Sequence, residues 1–206
     1  IVLCVEALNG DFAARFWQFV EAGGYQQREK STGDKEFYRF SKPRDADFPF
    51  MLELFSRKPD QIVFEGGGAI TPLPIDQEID SLSAIILDDD YYEALMGTAR
   101  VVDTVRVLDE RLLIPFKAKA FLDLSERREN GDEIDSKEIK KHRNDVFRLL
   151  QLLGAGESVK LPEGLSKDLA LFADAVAREN ALTPKDIGLT GTLDDQVARL
   201  RRAYGL

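Results

Sequence analysis

The chain has 206 residues, 37 acidic against 28 basic, with a formal net charge of -9, 44% hydrophobic residues and 13 Phe. That length and composition supply a sizeable core and exclude a mainly disordered chain. The acidic balance excludes a general polyanion binder but leaves room for a local basic patch.

The single cysteine, Cys4, can form no intrachain disulfide, which suits a reducing, cytoplasmic compartment. No apolar run approaches the roughly 20 residues that cross a bilayer, so no membrane contact is expected. Ile1–Val5 is too short, and lacks the basic leader, for a secretory signal.

Ile1–Val5 is a continuous apolar run and reads as a buried strand, with Cys4 as a small hydrophobe. The chain opens on this strand with no Met, turn or cap before it. It is therefore expected to begin inside its fold. Asn9-Gly10-Asp11 offers a helix cap, Phe12, Phe16, Phe19 and Val20 follow at helical spacing, and Gly23-Gly24 stops the helix. Residues 25–28 and 37–40 flank the polar stretch 31–35 and predict a hairpin. Residues 50–55 predict a strand with Phe50, Leu52 and Leu54 on one face, and 62–64 a partner for it. Residues 66–68 and 72–74 read as loop. Residues 82–87 form another apolar strand, and Asp88-Asp89-Asp90 can cap a short helix over 91–96.

From about Leu112 the period becomes helical. Phe116, Ala120, Phe121 and Leu124 form a stripe, Pro115 suits a first turn, and Asn130-Gly131 ends the helix. Ser136 is the expected cap of a second helix carrying Ile139, Val146, Leu149, Leu150 and Leu153. Residues 165–179 form a third, and Thr192 caps a fourth carrying Leu193, Val197, Leu200 and Tyr204. The fold class that follows is α+β: a small mixed β-sheet with flanking helices over residues 1–111, then a helical bundle over 112–206.

Three stretches can carry chemistry. Glu53 sits between apolar residues in a strand, where a carboxylate needs a partner. A divalent cation shared with other acids is one partner; Arg39 or Arg57 is another, and solvent a third. Lys117 and Lys119 lie on an otherwise apolar helix, where a lysine either meets triphosphate oxygens or snorkels to the rim. Lys140-Lys141-His142-Arg143-Asn144-Asp145 is the strongest basic cluster. Asp145 stands at i+4 from Lys141, the spacing of an intrahelical pair. His142 has no sequence neighbour that makes a triad or a metal site. Asp88-Asp89-Asp90 fits a cation or a helix cap equally, and the glycines at 66–68 lack the Lys-Ser/Thr of a phosphate loop.

The stretches Leu113-Ile114-Pro115-Phe116-Lys117-Ala118-Lys119-Ala120 and Lys141-His142-Arg143-Asn144-Asp145-Val146-Phe147-Arg148-Leu149 resemble the helical signature of the AbiEii-type nucleotidyltransferases, a branch of the polymerase-β nucleotidyltransferase superfamily. The resemblance implies Lys117 and Lys141 as nucleotide-binding residues and Asp145 as a catalytic one. It also implies Glu53 as a catalytic, metal-holding acid, third after an Asp-x-Asp pair. Residues 1–5 resemble the strand that follows that pair. The Gly-Ser turn and both aspartates are absent from this sequence.

In that superfamily two Mg2+ ions held by three carboxylates assist transfer of a nucleoside monophosphate from a nucleoside triphosphate to a hydroxyl acceptor. One acid alone cannot place two cations, so Mg2+ is expected only where the missing acids are present. Weak triphosphate binding without transfer is the expectation for this polypeptide. The acceptor implied is a short RNA end, for which Lys137, Lys140, Lys141 and Arg143 leave room, or a small molecule. The alternative is a non-catalytic relative acting as a binding or regulatory module with a protein partner. Under the catalytic reading, the first strand should run beside that of Glu53 and start at the same end of the sheet as the carboxylate.

Overall fold

The computed structural model describes residues 2–5, 10–29, 35–57, 70–72, 83–98, 100–103, 105–179 and 182–206. The strand proposed at 62–64, the glycines at 66–68 and the turn at 31–34 lie outside them. Two compact units emerge, Ile1–Tyr92 and Glu93–Leu206.

The first unit is a mixed sheet with a helix against one face. Strand β1 (Val2–Val5) is followed by α1 (Gly10–Gly23), β2 (Gln26–Glu29), β3 (Lys35–Ser41) and β4 (Met51–Arg57). Strands β5 (Ile70–Pro72) and β6 (Ser83–Leu87) complete the sheet, so Pro72 ends a strand where sequence suggested loop. Strand β4 organises the sheet. It pairs antiparallel with β3, parallel with β1 and parallel with β6. The β2–β3 and β5–β6 pairs are antiparallel.

Alternation along β4 explains the burial. Leu52 and Leu54 point into the core with Phe40, Ala13, Phe16 and Val20, while Glu53 belongs to the other face. The predicted α1 stripe is shifted. Phe19 is exposed at its flank, tilted against Phe48 at 5.0 Å, and Ala13 takes the inward place. Phe50 also misses the core, at 73% exposed, because β4 begins one residue later. Gly24 ends α1 at φ 60, and a Cβ there would lie 2.9 Å from Arg44 Cδ. Helix α2 (Asp89–Thr98) opens on two acids that complement its dipole, and crosses the boundary between the units.

The second unit holds an antiparallel pair that the sequence reading did not propose, β7 (Arg100–Val102) and β8 (Val105–Val107). Four helices follow: α3 (Glu110–Glu129), α4 (Ser136–Leu150), α5 (Glu163–Glu179) and α6 (Leu193–Tyr204). Helix α3 starts earlier than its sequence suggested, because Asp109 caps it by accepting from the Arg111 amide. The proposed 111/112 boundary therefore falls in its first turn, and Pro115 lies in its interior. Of the predicted α3 stripe Phe121 is buried, with Ile114 and Ala118 beside it, whereas Phe116, Ala120 and Leu124 are only partly buried. Asp135, not Ser136, caps α4 through the Lys137 amide. Thr192 caps α6 as predicted, in a capping box with Asp195. One apolar core joins the four helices, with Phe147 and Phe172 fully buried at its centre.

Pro115 cannot donate to the carbonyl of Arg111, four residues back. The Tyr204 hydroxyl donates to that carbonyl instead, at 2.9 Å. The C-terminal helix thus repairs the gap in the third.

Among the described residues no helix is long and apolar enough to cross a membrane.

Candidate functional site

The residues singled out by sequence fall into two clusters, one in each unit. In the sheet, Glu53 stands directly opposite Arg39 across the β3–β4 pair, and beside Val2 across the parallel β1–β4 pair. The first strand does start at the Glu53 end of the sheet, as the resemblance required. The carboxylate is occupied, however. Arg39 donates to Glu53 Oε1 from Nε at 2.7 Å and approaches the same oxygen with a terminal nitrogen at 2.6 Å. The Glu53 side chain is only 16% exposed, so this pair is partly shielded from solvent. Of the two arginines proposed as partners, Arg57 goes elsewhere. It donates to Asp89 at 2.8 Å and lies 5.8 Å from the Tyr92 ring centroid.

A metal demands more than this sheet supplies. Among the described residues no group of three or more His, Cys, Asp or Glu could hold a metal ion. Glu53 and Asp88-Asp89-Asp90 belong to no such group among the described residues. The thiol of Cys4 is pushed up by burial to about 11, which makes it a poor nucleophile.

The second cluster lies where α3 meets α4. Lys117 Nζ is 3.3 Å from Asp145 Oδ2 and joins the two stretches that carried the family resemblance. Arg148 approaches the other Asp145 oxygen at 3.8 Å. The i+4 pair of Asp145 with Lys141 does not form: the nearer cation is on the facing helix. Among the described residues Lys141 is exposed and makes no ion pair.

His142 lies on α4 one turn before Asp145. Its Nδ1 is buried without a hydrogen-bond partner among the described residues. Burial first, then the charges of Lys117 and Lys141, hold this imidazole down at about 4, against the opposing pull of Asp145 and Glu138. It is neutral at ordinary pH.

Two features were not foreseen. Lys119 sits between Asp123 at 3.4 Å and Asp168 at 3.3 Å, linking α3 to α5. Burial lowers the Lys119 ammonium, but the two carboxylates outweigh it and raise it above its usual value. Arg143 is buried, with two nitrogens 3.3 Å from Asn144 Oδ1, and burial pulls its ionisation down against Glu179. It therefore leaves the basic row proposed for an RNA end, and Lys137, Lys140 and Lys141 remain exposed. Its inward turn was legible only in part: position 143 shares the face of Val146, Phe147 and Leu150.

No family model matches the chain, and no curated protein or solved structure matches it.

Proposed function

We propose that this chain carries a nucleotidyltransferase-like scaffold that binds the phosphates of a nucleoside triphosphate. Together with an Asp-x-Asp pair such a scaffold would transfer a nucleoside monophosphate to a hydroxyl acceptor, a short RNA end or a small molecule. The observation that carries this reading is the Lys117–Asp145 ion pair, which joins two stretches distant in sequence and singled out beforehand. The parallel β1–β4 register, with Val2 beside Glu53, supports it. No group of three acids that could hold a metal ion occurs among the described residues, so the part argued from this chain's own side chains is electrostatic. Lys117, 29% exposed, can reach phosphate oxygen while still serving Asp145, because an ammonium has three donors. A cytoplasmic setting, where nucleotides are plentiful, belongs to the same reading.

The test is calorimetric titration of the chain with each nucleoside triphosphate, with and without magnesium. Weak binding is expected, reduced about tenfold or more by Lys117→Gln, a loss of about 1.4 kcal/mol, with no product from hydroxyl acceptors. Absence of binding at millimolar nucleotide, or binding indifferent to Lys117, would overturn the reading.

A second reading has its own observation. Arg39 already neutralises Glu53, as suits a non-catalytic relative that serves as a binding module for a protein partner. Nucleotide binding that ignores magnesium in the native chain and after Arg39→Gln favours this module. Magnesium dependence that appears on Arg39→Gln favours the enzyme.

A further inference from the structure

Three groups on the α3–α4 seam have bonding capacity left over. Lys141 is exposed and, among the described residues, unpaired. Lys117 has Asp145 as its one carboxylate contact among the described residues, and Asp145 is shared with Arg148. His142 Nδ1 is buried and lacks any hydrogen-bond partner among them. A buried polar atom left unpaired costs roughly 1–3 kcal/mol and calls for an explanation, such as a ligand that satisfies it. Two cations and an unsatisfied imidazole at one helix seam form the donor set that suits a phosphate.

We propose that His142 completes, with Lys117 and Lys141, an anion site that takes the polyphosphate of a nucleotide. The nucleotide part of this inference rests on the function proposed above; the anion part rests on the seam itself. Sequence spacing alone did not assign His142 this role, because Lys117 comes from α3 while Lys141 is its neighbour on α4.

The chemistry is coupled to a proton. In the free protein the ring is neutral, since burial and the charges of Lys117 and Lys141 oppose its ionisation, while Asp145 and Glu138 favour it. A polyphosphate adds negative charge beside the two lysines and reverses the balance. The ring then takes up a proton and adds its positive charge beside the bound phosphate. Binding should therefore consume a proton and tighten as pH falls through about 5 towards 4.

His142 is the only histidine in the chain, so its ring C–H resonances need no assignment. The experiment follows them by NMR across pH 3–8 on the whole chain, with and without inorganic tripolyphosphate, in the absence of metal. The midpoint is expected to rise by about one unit or more, equivalent to binding about tenfold tighter to the protonated ring. Lys117→Gln combined with Lys141→Gln should remove most of that rise while the far-UV spectrum stays unchanged. A midpoint unmoved by tripolyphosphate overturns the proposal, and so does an equal rise in the double variant. If tripolyphosphate moves the ring but nucleoside triphosphates bind no better than it does, the anion site stands and the transferase reading loses. If nucleotides bind through Lys117 with the ring unmoved, the reverse holds.

Discussion

Tyr204→Phe is the sharpest probe of how the helical unit is held together. Pro115 leaves the Arg111 carbonyl without an intrahelical donor, and the buried Tyr204 hydroxyl supplies one at 2.9 Å. Removing only that oxygen deletes a hydrogen bond of net worth about 0.5–1.5 kcal/mol and strands a carbonyl, for an expected loss of about 1–2 kcal/mol. In a protein of this size that lowers the melting temperature by about 2–8 °C. The control is Pro115→Ala, which returns an amide N–H to the same carbonyl. In that background Tyr204→Phe should cost less than about 0.5 kcal/mol, since the carbonyl no longer depends on the phenol. Urea unfolding followed by far-UV circular dichroism on all four proteins measures the coupling. Equal cost in both backgrounds would refute the reasoning.

The phenol adds a pH signature. Burial first, then Asp109, Glu157 and Glu110, hold its ionisation above the ordinary tyrosine value. A raised acid pKa contributes stability that is full below about pH 10 and is lost as pH rises further, where the unfolded chain ionises first. Tyr204→Phe should flatten that alkaline decline.

His142 makes the opposite prediction at acid pH. Its folded value of about 4 lies below 6.5, so the unfolded chain binds more protons between them and stability should fall as pH drops through that window. The loss is about 2 kcal/mol after discounting for a part-exposed ring; stability against pH for His142→Gln should be flatter than for the native chain by that amount. Arg39→Met should cost about 1–3 kcal/mol at pH 7 by leaving Glu53 unpaired on the sheet, whereas adding Glu53→Leu should restore most of it; a double variant no better than the single would sink the account of that pair. Thr192→Ala should cost about 1 kcal/mol through loss of the capping box, read as a shift in the urea midpoint with unchanged slope.

What the sequence made legible followed from short-range rules. Hydrophobic alternation located β4 and the Leu52/Leu54 face, and the Thr192 cap was readable because its partner, Asp195, is three residues away. What stayed hidden depended on distant partners. The inward stripe of α3 runs through Ile114, Ala118 and Phe121 because α4 and α5 cover that side; the spacing pointed to Phe121 correctly but also to Phe116, Ala120 and Leu124. Asp145 has a sequence neighbour at the right spacing, Lys141, and chooses Lys117 across the seam instead. Capping was misplaced by one residue at α4 for a plainer reason: Asp135 and Ser136 are both good caps, and only backbone angles decide between them. The β7–β8 pair escaped because its strands are three residues each, below what periodicity can resolve.

Lys117 and Lys119 sit two residues apart on one helix, and their surroundings assign them different work. Lys119 stands between Asp123 and Asp168, 3.4 and 3.3 Å away, and bridges two helices. Burial already raises the Asp123 carboxyl, which Lys119 opposes. Lys119→Met would remove the cation that these two part-buried carboxylates share. The Asp123 carboxyl, already raised by burial, should then protonate more readily, so the variant should lose about 2–4 kcal/mol at pH 7 and recover part of it towards pH 5.

Lys117 is placed differently. Its one carboxylate contact among the described residues, Asp145, keeps Arg148 at 3.8 Å when the lysine is gone. Lys117→Met should therefore cost less than about 1 kcal/mol in folding while clearly weakening the response of His142 to tripolyphosphate. Urea unfolding and the histidine titration, run on the two single variants, separate a structural lysine from a binding one. If Lys117→Met destabilises the chain as much as Lys119→Met, the seam at Lys117 is a structural ion pair like its neighbour, and the anion site loses its principal cation.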